Sequence, residues 1–217
     1  FGAPAEYPML KPHKDFKNIY VIERKKTDTG KSFGEGPHTD SSYLAYPPRF
    51  TFLQAIDVPE AGKGNTLFYN QFLAYEALPK EIKQKIENLK GVFSSQGKIA
   101  QTRKLRMADH GTSGTKEIKS EHKLVQLING RKTIYCSPGH VVGIVDLNNE
   151  QDELINFLSS HQIKENFSYS FSWTKGDIAL WSNRSMLHAA TAFSGNRKMY
   201  RITTVSYTHL TLPTNTV

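Results

Sequence analysis

Phe167, Tyr169, Phe171 and Trp173 alternate strictly with Ser168, Ser170 and Ser172. A period of two is the pattern of a strand with one apolar face, so this segment predicts a strand whose aromatic side packs inward. Runs rich in β-branched and aromatic residues predict further strands over residues 18–23, 50–56, 178–181 and 197–204. Asn129-Gly130, between apolar runs at 123–128 and 132–135, predicts a tight hairpin. Helical spacing shows in two places. Residues 70–78 and then 79–89 carry Ile82, Ile86 and Leu89 on one face, with Gly91 just beyond; residues 150–161 align Leu154, Phe157, Leu158 and His161. Residues 94–121 are polar and aperiodic, too long for an ordinary connection, and read as a mobile flap or lid.

Strands outnumber helices, no βαβ rhythm is present, and neither a repeat nor a Pro/Gly-rich linker divides the chain. The predicted fold is mainly β and jelly-roll-like, with decorating helices.

The chain's 217 residues suffice for one domain with a real core, and 38% hydrophobic against 22% charged residues excludes a disordered chain. No apolar run approaches the roughly 18 residues of a spanning helix, so no membrane partner is expected. A lone cysteine, Cys136, excludes a disulfide framework and any thiolate-rich zinc or iron–sulfur site. Lys+Arg minus Asp+Glu is 28 − 20 = +8, which raises nucleic acid as a partner. No zinc-finger spacing, aromatic RNA-binding motif or basic helix accompanies that charge. A basic surface around a site for small anions is the better reading, with a homo-oligomer left open.

Both ends carry expectations of their own. Phe1 is not an initiator methionine and no leader follows it, so the natural start is expected to be missing. Localisation is then assigned as cytoplasmic by default. Residues 205–214 are one reading frame of a transposase adapter used in short-read sequencing libraries. Residues 205–217 are therefore expected to be translated adapter, and His209 is set aside.

The chemistry begins at His38-Thr39-Asp40. On an extended backbone, residues two apart face one side, so an imidazole and a carboxylate share a point. His188 follows a predicted strand and supplies a second imidazole. Two histidines and one carboxylate leave three coordination positions open, which suits non-haem Fe(II) taking a chelating cosubstrate and oxygen. A structural zinc site would close its shell with four protein ligands. Arg197 and Arg201 share a strand face about 13 Å apart, at about 3.3 Å per residue. Inward guanidiniums beside a metal call for anions, preferably bidentate ones; two surface arginines remain the bland alternative, as an ordinary strand threonine does for Thr66.

The remaining features have quieter readings. His13, His110 and His122 sit in polar stretches, Tyr43 and Tyr46 read as packing, Asn183-Arg184 as a structural turn, and residues 136–140 (CSPGH) as a loop rather than a nucleophile site.

Six ordered blocks carry a resemblance: Phe1-Gly2-Ala3-Pro4, His38-Thr39-Asp40, residues 64–68 (GNTLF), 74–78 (AYEAL), 176–184 (GDIALWSNR) and 197–201 (RKMYR). Together they resemble the taurine dioxygenase / 2,4-dichlorophenoxyacetate dioxygenase (TauD/TfdA) family of Fe(II)- and 2-oxoglutarate-dependent dioxygenases, over residues 1–204. The resemblance implies a double-stranded β-helix and a requirement for Fe(II), 2-oxoglutarate and O2. It implies that His38, Asp40 and His188 are the iron ligands. Thr66 and Arg197 would hold the distal carboxylate of 2-oxoglutarate, and Arg201 would reach its C1 end and the anionic head of the prime substrate. Tyr7 and Ser41 join Arg201 as candidate substrate-binding residues. The reaction implied is hydroxylation of a small anionic substrate with release of succinate and CO2.

Asp40 argues against the halogenating relatives, which need that position vacant for chloride. The stretch from His188 to Arg197 is two residues shorter than in the taurine enzyme. A two-residue change preserves strand facing, so Arg197 stays the distal clamp, with Arg201 the alternative if the register slips. Tyr7, Leu10 and Pro37 depart from the taurine enzyme and leave the substrate open among sulfonates, sulfate esters, aryloxyacetates and other small carboxylates. The family carries more chain ahead of its iron ligands than the 37 residues here, so this domain is expected to be N-terminally truncated and to expose apolar surface. Two rivals stand outside the family: a metal-dependent hydrolase or isomerase using the same triad, and a non-catalytic binding domain on the same barrel.

Overall fold

The computed structural model describes residues 1–7, 10, 12–100 and 116–205. The first sheet runs β1 (Ala3–Pro4), β13 (Arg197–Val205), β3 (Phe50–Asp57) and β11 (Ile178–Ser182), with β2 (Tyr20–Arg24) also paired to β13. The second sheet is β10 (Ser168–Phe171), β4 (Thr66–Asn70) and β12 (Met186–Ala190). A third joins β6 (Lys119–Lys123), β5 (Lys90–Ser94) and β9 (Val141–Ile144). β7 (Val125–Ile128) and β8 (Arg131–Ile134) form the predicted hairpin, with Asn129 and Gly130 at φ 49° and 79°. A turn of that hand needs positive φ at both positions, which Asn and Gly tolerate best. Pairing is antiparallel throughout. The fold is a mainly β jelly roll with few helices, as predicted.

The helices are α1 (Gln71–Glu76), α2 (Lys80–Ile86) and α3 (Gln151–His161). Asn70 opens α1 by accepting hydrogen bonds from the backbone of Phe72 and Leu73. Pro79 lacks an N–H and disfavours helix in the residue before it, so α1 stops short and α2 starts afresh.

Among the described residues the two larger of three apolar clusters organise the interior. One is built by Leu53, Ala55, Phe68, Trp181 and Met199 between the facing first and second sheets, with Trp173 closing it. The other packs α1, α2 and α3 against β5, β8 and β9 through Ala74, Ile86, Phe93, Leu158 and Ile134.

Three expectations need correction. Tyr169 is exposed rather than packed inward, because β10 is an edge strand and pairs only with β4. Phe157 is more exposed than its helical face implied, and Ile155 is buried instead. Tyr46 is exposed, whereas Tyr43 is buried completely. The polar segment 94–121 begins and ends in paired strands, with Ser94 opposite Lys119; the flap expectation for residues 101–115, with His110, lies outside the described residues. So do residues 206–217, while Val205 ends β13 opposite Ala3. Edge strand β11 leaves Ile178 and Leu180 exposed. Among the described residues no helix is long and apolar enough to cross a membrane.

Candidate metal centre

His38 and His188 lie 150 positions apart and are locked together through their backbones. Each amide donates to the other's carbonyl, at 3.0 and 2.8 Å, in an isolated antiparallel bridge. Opposed residues in such a bridge point to one side, which sets the rings 4.2 Å apart between centroids. Thr39 points the other way: its hydroxyl donates to the carbonyls of Asn183 and Met186, pinning the loop to the turn between β11 and β12. Asp40 then returns to the side of His38. Its Oδ1 lies 3.7 Å from Nε2 of His38 and 3.6 Å from Nε2 of His188.

All three residues are buried, and one ligand atom from each falls within 4.8 Å of the others. Neighbouring ligands of one ion sit about 3–4 Å apart when each bond is about 2.1 Å. His38 Nδ1 contacts the carbonyl of Gly36 at 2.9 Å. An imidazole that donates there carries its proton on Nδ1 and turns the Nε2 lone pair to the centre. Burial, with help from His38 and Arg201 and against the pull of Asp40, pushes His188 down to about 3, so its ring is neutral. Burial alone would raise the Asp40 carboxyl. Arg201, then His188 and His38, and a hydrogen bond from Thr51 hold it well below the usual carboxylate range. Two imidazoles, that of His188 held neutral, and an ionised carboxylate are the donor set a divalent transition metal takes.

The sheets carry the remaining candidates to the same place. His188 on β12 stands opposite Phe68 on β4, and Thr66 lies two residues along the same face of β4. Arg197 and Arg201 are both buried on the inward face of β13, as their spacing predicted. A cavity of about 40 Å³ is lined by His38, Asp40, His188, Thr66, Arg197 and Arg201, among others. Within it Trp173 Nε1 donates to Thr66 Oγ1 at 3.0 Å, which leaves the threonine's own hydrogen available. The Arg197 guanidinium stacks near Trp173 and Phe193, at 5.9 and 5.8 Å.

A second, adjoining cavity of about 10 Å³ shares His38, Asp40 and Arg201, and adds Tyr7, Ser41, Ile99 and His140. Arg201 stands between the two, 3.1 Å from Asp40 Oδ1 and 4.6 Å over the Tyr7 ring. Burial is the largest single influence and works against its charge, but Asp40, Tyr7 and Tyr43 together outweigh it and keep Arg201 firmly protonated. Ser41 adopts φ 47°, a costly backbone for a non-glycine residue, which turns the chain immediately after Asp40. A larger open groove of about 800 Å³, along Tyr46, Arg49, Gln126 and Arg184, contains none of these residues.

Residues 136–140 are a loop, as the sequence implies, and they also wall the site. Ser137 Oγ accepts from the Thr39 amide, and the His140 ring lies 6.2 Å from that of His38. Gly139 makes that approach possible, since a Cβ there would meet the Cβ of His38 at 3.0 Å. Cys136 itself is buried, and its thiol is pushed up to about 12, which suits packing and not nucleophilic attack.

The comparisons agree with this geometry. Residues 1–203 match the sequence profile described as the taurine catabolism dioxygenase TauD, TfdA family. Pentalenolactone F synthase of Streptomyces arenae is 26% identical over 83% of this chain. A putative alpha-ketoglutarate-dependent sulfonate dioxygenase of Schizosaccharomyces pombe is 34% identical over 71% of it. The crystal structure of a taurine dioxygenase from Burkholderia xenovorans superimposes with TM-score 0.75 and 26% identity, covering 95% of this chain and 69% of that one. The chain spans 66% of the length of the Streptomyces protein and 39% of the fission-yeast one.

Proposed function

Because the chain belongs to the taurine catabolism dioxygenase TauD, TfdA family, we propose that it is an Fe(II)- and 2-oxoglutarate-dependent dioxygenase that hydroxylates a small anionic substrate. The observation that carries this reading is the junction at His38, Asp40 and His188. A cavity with Thr66 and Arg197 adjoins the triad, and a second with Tyr7 and Ser41 shares His38, Asp40 and Arg201 with it. The lining of the first offers donors to a dicarboxylate cosubstrate and that of the second to an anionic substrate; at about 40 and 10 Å³ both must widen to admit them.

His38 Nε2, His188 Nε2 and Asp40 Oδ1 are the atoms that would hold the iron. Iron and 2-oxoglutarate together supply oxidising chemistry, in which oxygen is consumed, the oxo acid leaves as succinate and CO2, and the substrate gains a hydroxyl. Arg197 has the planar fork that grips a carboxylate at two points, and Thr66 directs a hydroxyl hydrogen to the same end of the cavity. That Arg197 borders only the Thr66 cavity, whereas Arg201 borders both, favours Arg197 as the distal clamp. Arg201, already oriented by Asp40 and Tyr7, offers its remaining donors to the C1 end of the cosubstrate and to an anionic substrate head. Tyr7 and Ser41 complete that second compartment. The sulfonate named for the fission-yeast relative and the taurine named for the Burkholderia structure fit the anionic class. Positioning the target C–H bond within this walled space is the protein's share of the rate.

The test uses protein purified without oxygen and reconstituted with Fe(II) and 2-oxoglutarate. A weak visible charge-transfer band from the chelate, lost in His188→Ala, is the expected result. Succinate release over a panel of sulfonates, sulfate esters and carboxylates then identifies the substrate class. A folded protein that binds Fe(II) yet gives no band overturns the 2-oxoglutarate assignment.

A further inference from the structure

The two oxygens of Asp40 live in different surroundings. Oδ1 faces both Nε2 atoms and Arg201. Oδ2 instead accepts a 2.6 Å hydrogen bond from Thr51 Oγ1, a fully buried hydroxyl on β3. That hydroxyl does not stand alone. Asn183 Nδ2 donates to Thr51 Oγ1 at 2.8 Å, and Trp181 Nε1 donates to Asn183 Oδ1 at 3.2 Å.

The direction of this relay is fixed by chemistry. An indole N–H can only donate, so the amide oxygen of Asn183 must face Trp181 and its NH2 must face Thr51. With its oxygen occupied from that side, the Thr51 hydroxyl has its hydrogen turned to Asp40. Strand register supports the geometry: Trp181 on β11 and Thr203 on β13 both stand opposite Thr51, which pins the threonine from either side. The Asn183 backbone is held as well, its amide donating to the Arg49 carbonyl and its carbonyl accepting from Thr39. Trp181 has a further role, because its ring packs 4.7 Å from the His188 imidazole.

We infer that Thr51, oriented by Asn183 and Trp181, is a positioning residue that keeps Oδ2 of Asp40 engaged and presents Oδ1 alone to the metal. This rests on the metal-centre reading above. Its functional consequence is a matter of coordination number. A carboxylate bound through one oxygen fills one position instead of two, so a facial triad retains three sites for a chelating cosubstrate and oxygen.

The test is anaerobic titration of the metal-free protein with Co(II), followed by calorimetry and by visible absorption, in the parent and in Thr51→Val, Thr51→Ser and Asn183→Leu. Valine keeps the shape of threonine and removes the donor; serine restores the donor. Loss of a hydrogen bond to a metal-binding carboxylate costs about 10- to 100-fold in affinity. Thr51→Val should weaken Co(II) binding by that factor, Thr51→Ser should return it to the parent value, and Asn183→Leu should shift it in the same direction as valine. Equal Co(II) affinity in Thr51→Val and the parent overturns the positioning role while leaving the metal centre intact, even if the melting temperature falls. A folded parent that binds no Co(II) overturns both. If Thr51→Val does not fold, Asn183→Leu decides by the same criterion.

Discussion

Replacing Thr66 by valine separates the two roles the hydroxyl can play. The side chain is buried on β4, accepts a 3.0 Å hydrogen bond from Trp173 Nε1, and keeps its own hydrogen for the cavity beside Arg197. Valine preserves volume and strand propensity but removes the acceptor and the donor together. Without its acceptor the buried indole N–H is orphaned, at about 1–3 kcal/mol, equivalent to a melting temperature lower by about 2–12 °C in a chain of this size. Losing a hydrogen bond to a charged carboxylate costs about 1.5–3 kcal/mol, so the dissociation constant for 2-oxoglutarate should rise about 10- to 150-fold. Serine should restore most of both. The assay is thermal unfolding without cosubstrate, paired with titration of 2-oxoglutarate into the Fe(II)-loaded protein. If Thr66→Val melts earlier but binds 2-oxoglutarate as the parent does, the hydroxyl serves Trp173 alone and its place in the cosubstrate cavity is wrong.

Other outcomes follow from the same geometry. Arg197→Met should raise the 2-oxoglutarate dissociation constant about 30- to 4,000-fold, the effect of about 2–5 kcal/mol at a buried charged contact. Arg197→Lys should recover only part of this, since a point charge cannot match a bidentate fork; full recovery would contradict the clamp. Gly139→Ala places a methyl 3.0 Å from the Cβ atoms of His38 and Ile99, so overpacking of about 1–3 kcal/mol should accompany weaker Fe(II) binding. An unchanged metal affinity in that variant would remove the 136–140 loop from the site. Burial lifts the Cys136 thiol from 9.0 to about 12, so the unfolded chain releases its proton first as pH climbs. Stability should therefore fall between about pH 9 and 12, and Cys136→Ala should flatten that decline in a pH series of unfolding curves. The same thiol should react with a disulfide reagent at pH 8 only after denaturant is added.

The triad was legible in the sequence for a plain reason. His38 and Asp40 are two apart on extended chain, and alternation alone puts them on one side. His188 follows a recognisable strand and its partners are fixed by a ladder. Arg197 and Arg201 obeyed the same period. What escaped notice depends on pieces of chain that meet only in three dimensions. Asn183 read as a turn residue, although a polar side chain closing the apolar run of β11 is a mild signal of burial. Thr51 is one threonine among apolar strand residues, and nothing nearby marks it as Asp40's partner 11 positions away. His140 and Ile99 reach the site through Ser137, Gly139 and Thr39 contacts that no local pattern encodes. Tyr169 shows the converse limit: alternation identifies a strand's two faces but not whether the strand has neighbours on both sides.

The reciprocal amide bonds between His38 and His188 have a temporal meaning as well as a spatial one. They join segments 150 residues apart, so the metal pocket depends on a strongly non-local contact. Non-local pairings form late, after their loop-closure entropy has been met by other packing. During synthesis, His38 and Asp40 leave the ribosome long before β12 exists, and a chain halted anywhere before residue 188 carries two ligands with no third to close the set. The three-ligand set is thereby a property of the paired β12 and not of the leading segment: His38 and Asp40 acquire their third partner only when the strand carrying His188 has been made and bridged to them.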